Sequence, residues 1–169
     1  MANMDDWLNQ WLRDAHAMEE QAEQMLSGQV SRLENYPQLR ARIEQHLTET
    51  KSQRERLERC IEQRGTSTSS MKDIAAKFTA MMQSFSGVMV SDEVVKGTLA
   101  SYTFEHMEIA SYRILIAAAE AVGDTTTARV CEEICREEEA MAAWLADHAD
   151  EVTREYLKRE QVESETAKR

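Results

Sequence analysis

Apolar residues recur at intervals of three and four along most of the chain, the signature of long amphipathic helices. Leu8, Leu12, Ala15, Glu19, Ala22, Leu26, Val30 and Leu33 form the first stripe and predict a helix over about residues 5–33. The segment Glu34-Asn35-Tyr36-Pro37 breaks it, and Pro37 suits the first turn of the next helix. That second helix is predicted over 37–63 by Leu39, Ile43, His46, Thr50, Gln53, Leu57 and Cys60 or Ile61. A Gly/Ser/Thr linker from Gly65 follows, then a short helix over about 71–84 carrying Ile74, Phe78, Met81 and Met82 and ended by Gly87.

Ser91 or Asp92 serves as N-cap of the third long helix. Its stripe runs Val94, Thr98, Ser101 or Tyr102, Glu105, Glu108 or Ile109, Tyr112, Leu115 or Ile116, Ala119 and Val122, and Gly123-Asp124 closes it. A fourth helix is predicted over about 125–146 through Val130 or Cys131, Ile134, Glu137 or Glu138, Met141 and Trp144 or Leu145. A last helix over about 150–160 is anchored by Val152, Tyr156 and Leu157, and residues 161–169 read as a polar tail. The expected organisation is one all-α domain over 1–160, two helical hairpins joined by a 64–90 crossover.

Composition agrees with helix nearly throughout: 169 residues hold 5 glycines and 1 proline, and 42% hydrophobic residues suffice for one core. The net charge of -11 argues against a nucleic-acid backbone or an anionic membrane as partner and favours cations. No run approaches the roughly 18 apolar residues of a membrane span, and the amino-terminal segment lacks an export signal. Cys60, Cys131 and Cys135 are an odd number without a CxxC spacing, which fits reduced thiols in a cytoplasmic protein.

What changes this picture is the middle of each stripe. Glu19, Glu49, Glu105, Glu108 and Glu137 stand where periodicity asks for leucine, and a carboxylate there is costly unless something positive compensates it. At about 1.5 Å rise per residue, Glu19, Glu49, Glu108 and Glu137 lie roughly 20 to 25 Å from their respective hairpin turns, so antiparallel packing brings them to one depth. Clustered carboxylates cannot all ionise alone, but two divalent ions resolve the conflict, with hard oxygen ligands selecting iron or manganese. His46 shares a face with Glu49 and is the nitrogen-ligand candidate; Glu105 and Glu108 share a face, while His106 points about 100° away. On the fourth helix Glu137 is preferred for its match to Glu49, both standing eight residues before a leucine, and Glu138 is the alternative ligand. His16, Tyr102 and Tyr112 are candidates for hydrogen bonding to the ligands. No nucleophile signature, phosphate loop, zinc finger or dinucleotide fingerprint is present.

The segments WLRDAHAMEEQAEQML, YPQLRARIEQHLTETKSQRERLE, FEHMEIASYRILIAAAEAVGD and EEICREEEAMAAWL resemble the YciE/YciF family of bacterial ferritin-like proteins, with the YciE branch the nearer. The resemblance implies a rubrerythrin-related four-helix bundle in up-down-down-up order, a homodimer and a dinuclear metal centre. It also implies an association with stress, without an established reaction. Carried over by motif, the ligand positions are Glu19, His46, Glu49, Glu105, Glu108 and Glu137 or Glu138. The pattern departs from ferritin-like di-iron proteins in having Ser52 and Ala140, not histidine, three residues after Glu49 and Glu137. The expected function is a stress-associated protein holding two iron or manganese ions per chain, with zinc as a non-native occupant. Whether it is an enzyme is left open; the class, if so, is a di-metal oxidoreductase acting on oxygen or peroxide. The alternatives are a non-catalytic structural or interaction bundle, and iron binding without turnover.

Overall fold

The computed structural model describes residues 2–67 and 92–166, and the expected short helix over 71–84 and the Ser91 cap lie outside them. Four helices make up the described chain: α1 (Met4–Val30), α2 (Pro37–Gln63), α3 (Glu93–Ala121) and α4 (Thr125–Thr166). There is no strand among the described residues.

Local chemistry sets most of the boundaries. Asn3 caps α1 in a reciprocal box: its Oδ1 accepts from the Asp6 amide at 2.8 Å, and Asp6 Oδ2 accepts from the Asn3 amide at 2.9 Å. α1 ends three residues earlier than its stripe predicts, because Leu33 belongs to the turn, where it is buried with Tyr36. Gly65 (φ 71°) and Gly123 (φ 77°) stop α2 and α3 in the left-handed conformation. The amides that follow them close back on the helices, Thr66 N to Ile61 O at 3.3 Å and Asp124 N to Ala119 O at 2.8 Å. Asp124 then caps α4, accepting from the Thr127 amide at 3.0 Å and from its hydroxyl at 2.7 Å.

One boundary is corrected. The two helices expected over 125–146 and 150–160 are a single helix that continues to Thr166, through the first six residues of the supposed polar tail. Nothing in Asp147-His148-Ala149-Asp150 breaks a helix, and His148 secures it by stacking on Trp144 (3.9 Å between centroids) while its Nδ1 donates to the Trp144 carbonyl at 2.8 Å.

The side-chain pairings give the topology. Gln29, near the end of α1, bonds Gly97 and Ser101 at the start of α3, whereas Tyr112 reaches back to Glu19. Arg56 of α2 meets Glu137 of α4, and Arg64, just past the end of α2, meets Asp124, which caps α4. α1 therefore runs antiparallel to α2 and α3, and α2 antiparallel to α4, the up-down-down-up order of a ferritin-like bundle; residues 67 and 92 lie at opposite ends of it. At the end that holds both the start of α1 and the α3–α4 turn, Arg64 donates to Asn9 Oδ1 (2.6 Å), Asp124 Oδ2 (2.7 Å) and Asp5 Oδ1 (2.7 Å). Truncating Arg64 to Ala leaves Asp124 and Asn9 without this partner, and we expect a lower urea midpoint corresponding to about 1–3 kcal/mol.

The interior is layered. Leu8, Leu12, Leu57, Ile61, Leu115, Cys131 and Ile134 belong to one apolar cluster, and Leu26, Leu33, Tyr36, Leu39, Ile43, Met141 and Leu145 to another. Between them sits a buried polar layer that includes Glu19, His46, Thr50, Gln53, Glu105, Glu108 and Glu138.

Candidate metal centre

Each of the four helices contributes to this layer through its own spacing. On α3, Glu105, Glu108 and Tyr112 follow one another at i, i+3 and i+7, so all three face inward and are buried. On α2 the same geometry selects His46, Thr50 and Gln53, and on α1 Glu19 lies between Ala15 and Ala22. On α4 the inward sequence is Ile134, Glu138, Met141 and Leu145.

One donor atom from each of His46, Glu105, Glu108 and Glu138 lies within 4.8 Å of all the others, and all four residues are buried. The His46 Nε2 is 3.2 Å from both Glu105 Oε2 and Glu138 Oε2, close enough for charge pairing with each. Neither contact has hydrogen-bond geometry: Glu105 Oε2, both oxygens of Glu138 and both oxygens of Glu108 are buried without a hydrogen-bond partner. Glu19 adjoins this group; its Oε1 accepts from the Tyr112 hydroxyl and its Oε2 has no partner.

So many acids in one dry layer are held away from their ordinary ionisation. Burial pushes Glu19 up to about 8, against the Tyr112 hydrogen bond and the nearby His46 that pull it down. Burial and the adjacent carboxylates raise Glu108 well above the usual carboxylate range, and burial does the same to Glu138 despite His46. For His46 burial favours the neutral ring, but Glu105, Glu138 and Glu49 outweigh it and raise the imidazole to about 12. The metal-free layer thus balances a protonated histidine against acids that retain protons.

Unpaired buried oxygens are costly. Three carboxylates without hydrogen bonds to the facing oxygens, and an imidazole that exposes an Nε2 lone pair once it gives up its proton, fit a divalent metal of the iron, manganese or zinc type, which accepts mixed oxygen and nitrogen ligands. The described residues therefore contain a plausible multi-ligand metal site.

Other residues singled out by sequence stand elsewhere. Glu137 points into the α2–α4 seam, where Arg56 Nη2 donates to it at 2.5 Å and Gln53 Nε2 at 2.9 Å; Glu138, a 100° step further round the helix, takes the interior place. Glu49 also lies at that seam, a quarter exposed, bonded to His46, Arg42 and Gln45. His16 is buried but faces Glu20, 4.0 Å away, and the charges of Glu58 and Arg54. Tyr102 packs edge-on against His106 on the exposed side of α3, while Tyr112 sits in the layer. Arg56 was not anticipated; its place three residues after Gln53 on the α2 edge was the available signal.

A family model for a domain of unknown function, DUF892, matches residues 3–158. The chain is similar to a protein of known crystal structure from Xanthomonas campestris, XCC3681, with 40% identity over 94% of this chain and 99% of that one and a TM-score of 0.80. It is also similar to the Escherichia coli stress protein YciF, at 25% identity over 91% and 99% of the two chains and a TM-score of 0.71. A bacterioferritin with a diiron site from Desulfovibrio desulfuricans shares the fold, at 21% identity over 91% and 86% and a TM-score of 0.72. By matched length and by identity, this chain belongs to the DUF892 family of ferritin-like bundles related to YciF.

Proposed function

We propose that the protein binds iron or manganese in the buried layer and serves in stress defence, with zinc as a non-native occupant. The observation that carries this reading is the set of fully buried oxygens without hydrogen bonds on Glu105, Glu108 and Glu138 around His46. Glu108 and Glu138, neither of which has a hydrogen-bonded oxygen, would hold the ions together with His46, Glu105 and the adjoining Glu19. Bound there, iron or manganese would supply one-electron redox chemistry toward oxygen or peroxide. The chain's own part is to hold the donors in a dry layer between two apolar clusters, and to surrender protons from Glu19, Glu108, Glu138 and the inward Nε2 of His46 as metal enters. Tyr112 fixes Glu19 through its hydroxyl. Three unpaired thiols support a reducing, cytoplasmic setting.

The test is metal analysis of protein prepared without an affinity tag. About two ions per chain are expected, with loss of peroxide or oxidation of ferrous ion then measured separately. Lack of metal after reconstitution with ferrous ion, manganese or zinc would instead support the second reading, a non-catalytic structural bundle. That reading is favoured by the protonated His46, which, with the protons kept on Glu19, Glu108 and Glu138, balances the layer's charge without a metal.

We also propose a homodimer through the outer face of α1 and α3. Trp7 and Trp11 lie side by side with tilted rings, 5.9 Å between centroids, and with Leu99, Tyr102 and Ile114 they are exposed. From 97 to 119 the exposed residues of α3 include a single charged side chain, Arg113, in a chain with 30% charged residues. Light scattering should give a dimer for the wild type and a monomer for the Trp11→Glu, Ile114→Glu double variant.

A further inference from the structure

Glu49 stands one turn after His46 on α2, and its oxygens are all engaged away from the carboxylate cluster. Oε2 lies 2.9 Å from His46 Nδ1 and 3.2 Å from Arg42 Nη1, and Oε1 accepts from Gln45 Nε2 at 2.8 Å. The imidazole therefore spans two environments. Nδ1 faces the α2–α4 seam and is bound by Glu49, while Nε2 faces the interior, 3.2 Å from Glu105 and from Glu138.

Resting on the metal reading above, we propose that Glu49 is a positioning residue: through its hydrogen bond to Nδ1 it fixes the ring orientation and tautomer of His46, so that Nε2 alone presents a lone pair to the cation, and it does not itself ligate. Three features carry this. The pair is made within a single helix, at i and i+3, so it is set by α2 before any packing against the other helices. Arg42 and Gln45, also on α2, hold the carboxylate against the ring, so the whole assembly moves as one helix face. The seam that Glu49 shares with Arg42, Arg56, Arg136, Glu133 and Glu137 leaves it a quarter exposed, unlike the buried acids whose oxygens lack hydrogen bonds. An anionic acceptor behind a metal-bound imidazole strengthens the donor nitrogen, and loss of such a partner costs about 10- to 100-fold in affinity.

The assignment differs from what residue spacing alone gives, in which Glu49 is itself a ligand, and the two are separable with zinc as the diamagnetic probe. Nitrogen-15 spectra of the zinc-loaded wild type should show His46 protonated at Nδ1 and unprotonated at Nε2. Glu49→Gln should weaken zinc about 10- to 100-fold with unchanged stoichiometry, unchanged oxygen coordination by X-ray absorption and a shifted Nδ1 resonance. Glu49→Asp, which shortens the reach but keeps the charge, should recover part of the affinity. A loss of oxygen ligands in Glu49→Gln would make it a ligand and overturn the proposal. Full zinc affinity with an unshifted ring would reduce it to a surface residue and overturn it equally. A wild-type chain that takes up no zinc would overturn both this proposal and the metal reading on which it rests.

Discussion

Replacing Glu138 with Gln should lower metal affinity by more than about 100-fold, beyond the loss typical of a ligand's hydrogen-bonding partner, while Glu137→Gln should leave it unchanged. The two neighbours are chemically identical and one helical step apart, yet their surroundings are opposite. Glu138 is fully buried with neither oxygen hydrogen-bonded, and its Oε2 lies 3.2 Å from the His46 Nε2. Glutamine keeps its volume but puts an NH2 donor where a cation should sit. The Glu137 carboxylate instead pairs with Arg56 and Gln53 in the seam, so its replacement alters a partly exposed charge pair. Metal content after dialysis, read beside thermal unfolding in chelator, separates the outcomes. In chelator Glu138→Gln should unfold close to the wild type, because the amide replaces a carboxyl that burial already holds in its protonated form. Metal retained by Glu138→Gln and lost by Glu137→Gln would reverse the proposed α4 assignment.

The contrast between these two residues shows how far the sequence could be read. Periodicity defines a stripe some 100° wide, enough to identify the helices and to place a polar layer midway along each, and α2 lies where its stripe predicts it. It is too coarse to choose between successive glutamates on α4. The match of Glu137 to Glu49 by their common distance from a leucine points to equivalent positions, and both do lie at the α2–α4 seam. By that same equivalence Glu138 corresponds to Thr50, and α2 brings no carboxylate to the interior place. His46 enters one turn earlier instead, so the centre is asymmetric in a way that a duplicated hairpin alone does not reveal. Nor can spacing show that Arg56 has claimed Glu137, since that contact joins residues 81 apart in the chain.

Metal-free protein should lose stability as pH rises from about 5 to 8, while the stabilisation gained from added metal should grow over the same interval. Glu19 has an ordinary value of 4.5 and a folded value of about 8. Below 4.5 both the folded and the unfolded chain hold its proton, and the group favours neither. Between 4.5 and 8 the unfolded chain has released the proton but the folded chain still carries it, so every step upward in pH favours unfolding. Glu108 and Glu138, raised in the same direction, add to the slope. His46 acts with them: its stabilisation is fully present below its ordinary 6.5 and is lost as pH climbs toward about 12. Glu49, lowered to about 2, has the opposite dependence, but its stabilisation is complete above 4.5 and does not offset the decline. Metal requires the ionised carboxylates and displaces their protons, so its binding strengthens where the empty layer weakens. Melting curves at pH 5 and pH 8, with chelator or with manganese, test both slopes, and Glu19→Gln should flatten the metal-free one. A metal-free melting temperature that rose across this range would mean that the acids reach solvent and that the layer is not the dry, proton-holding site its burial describes.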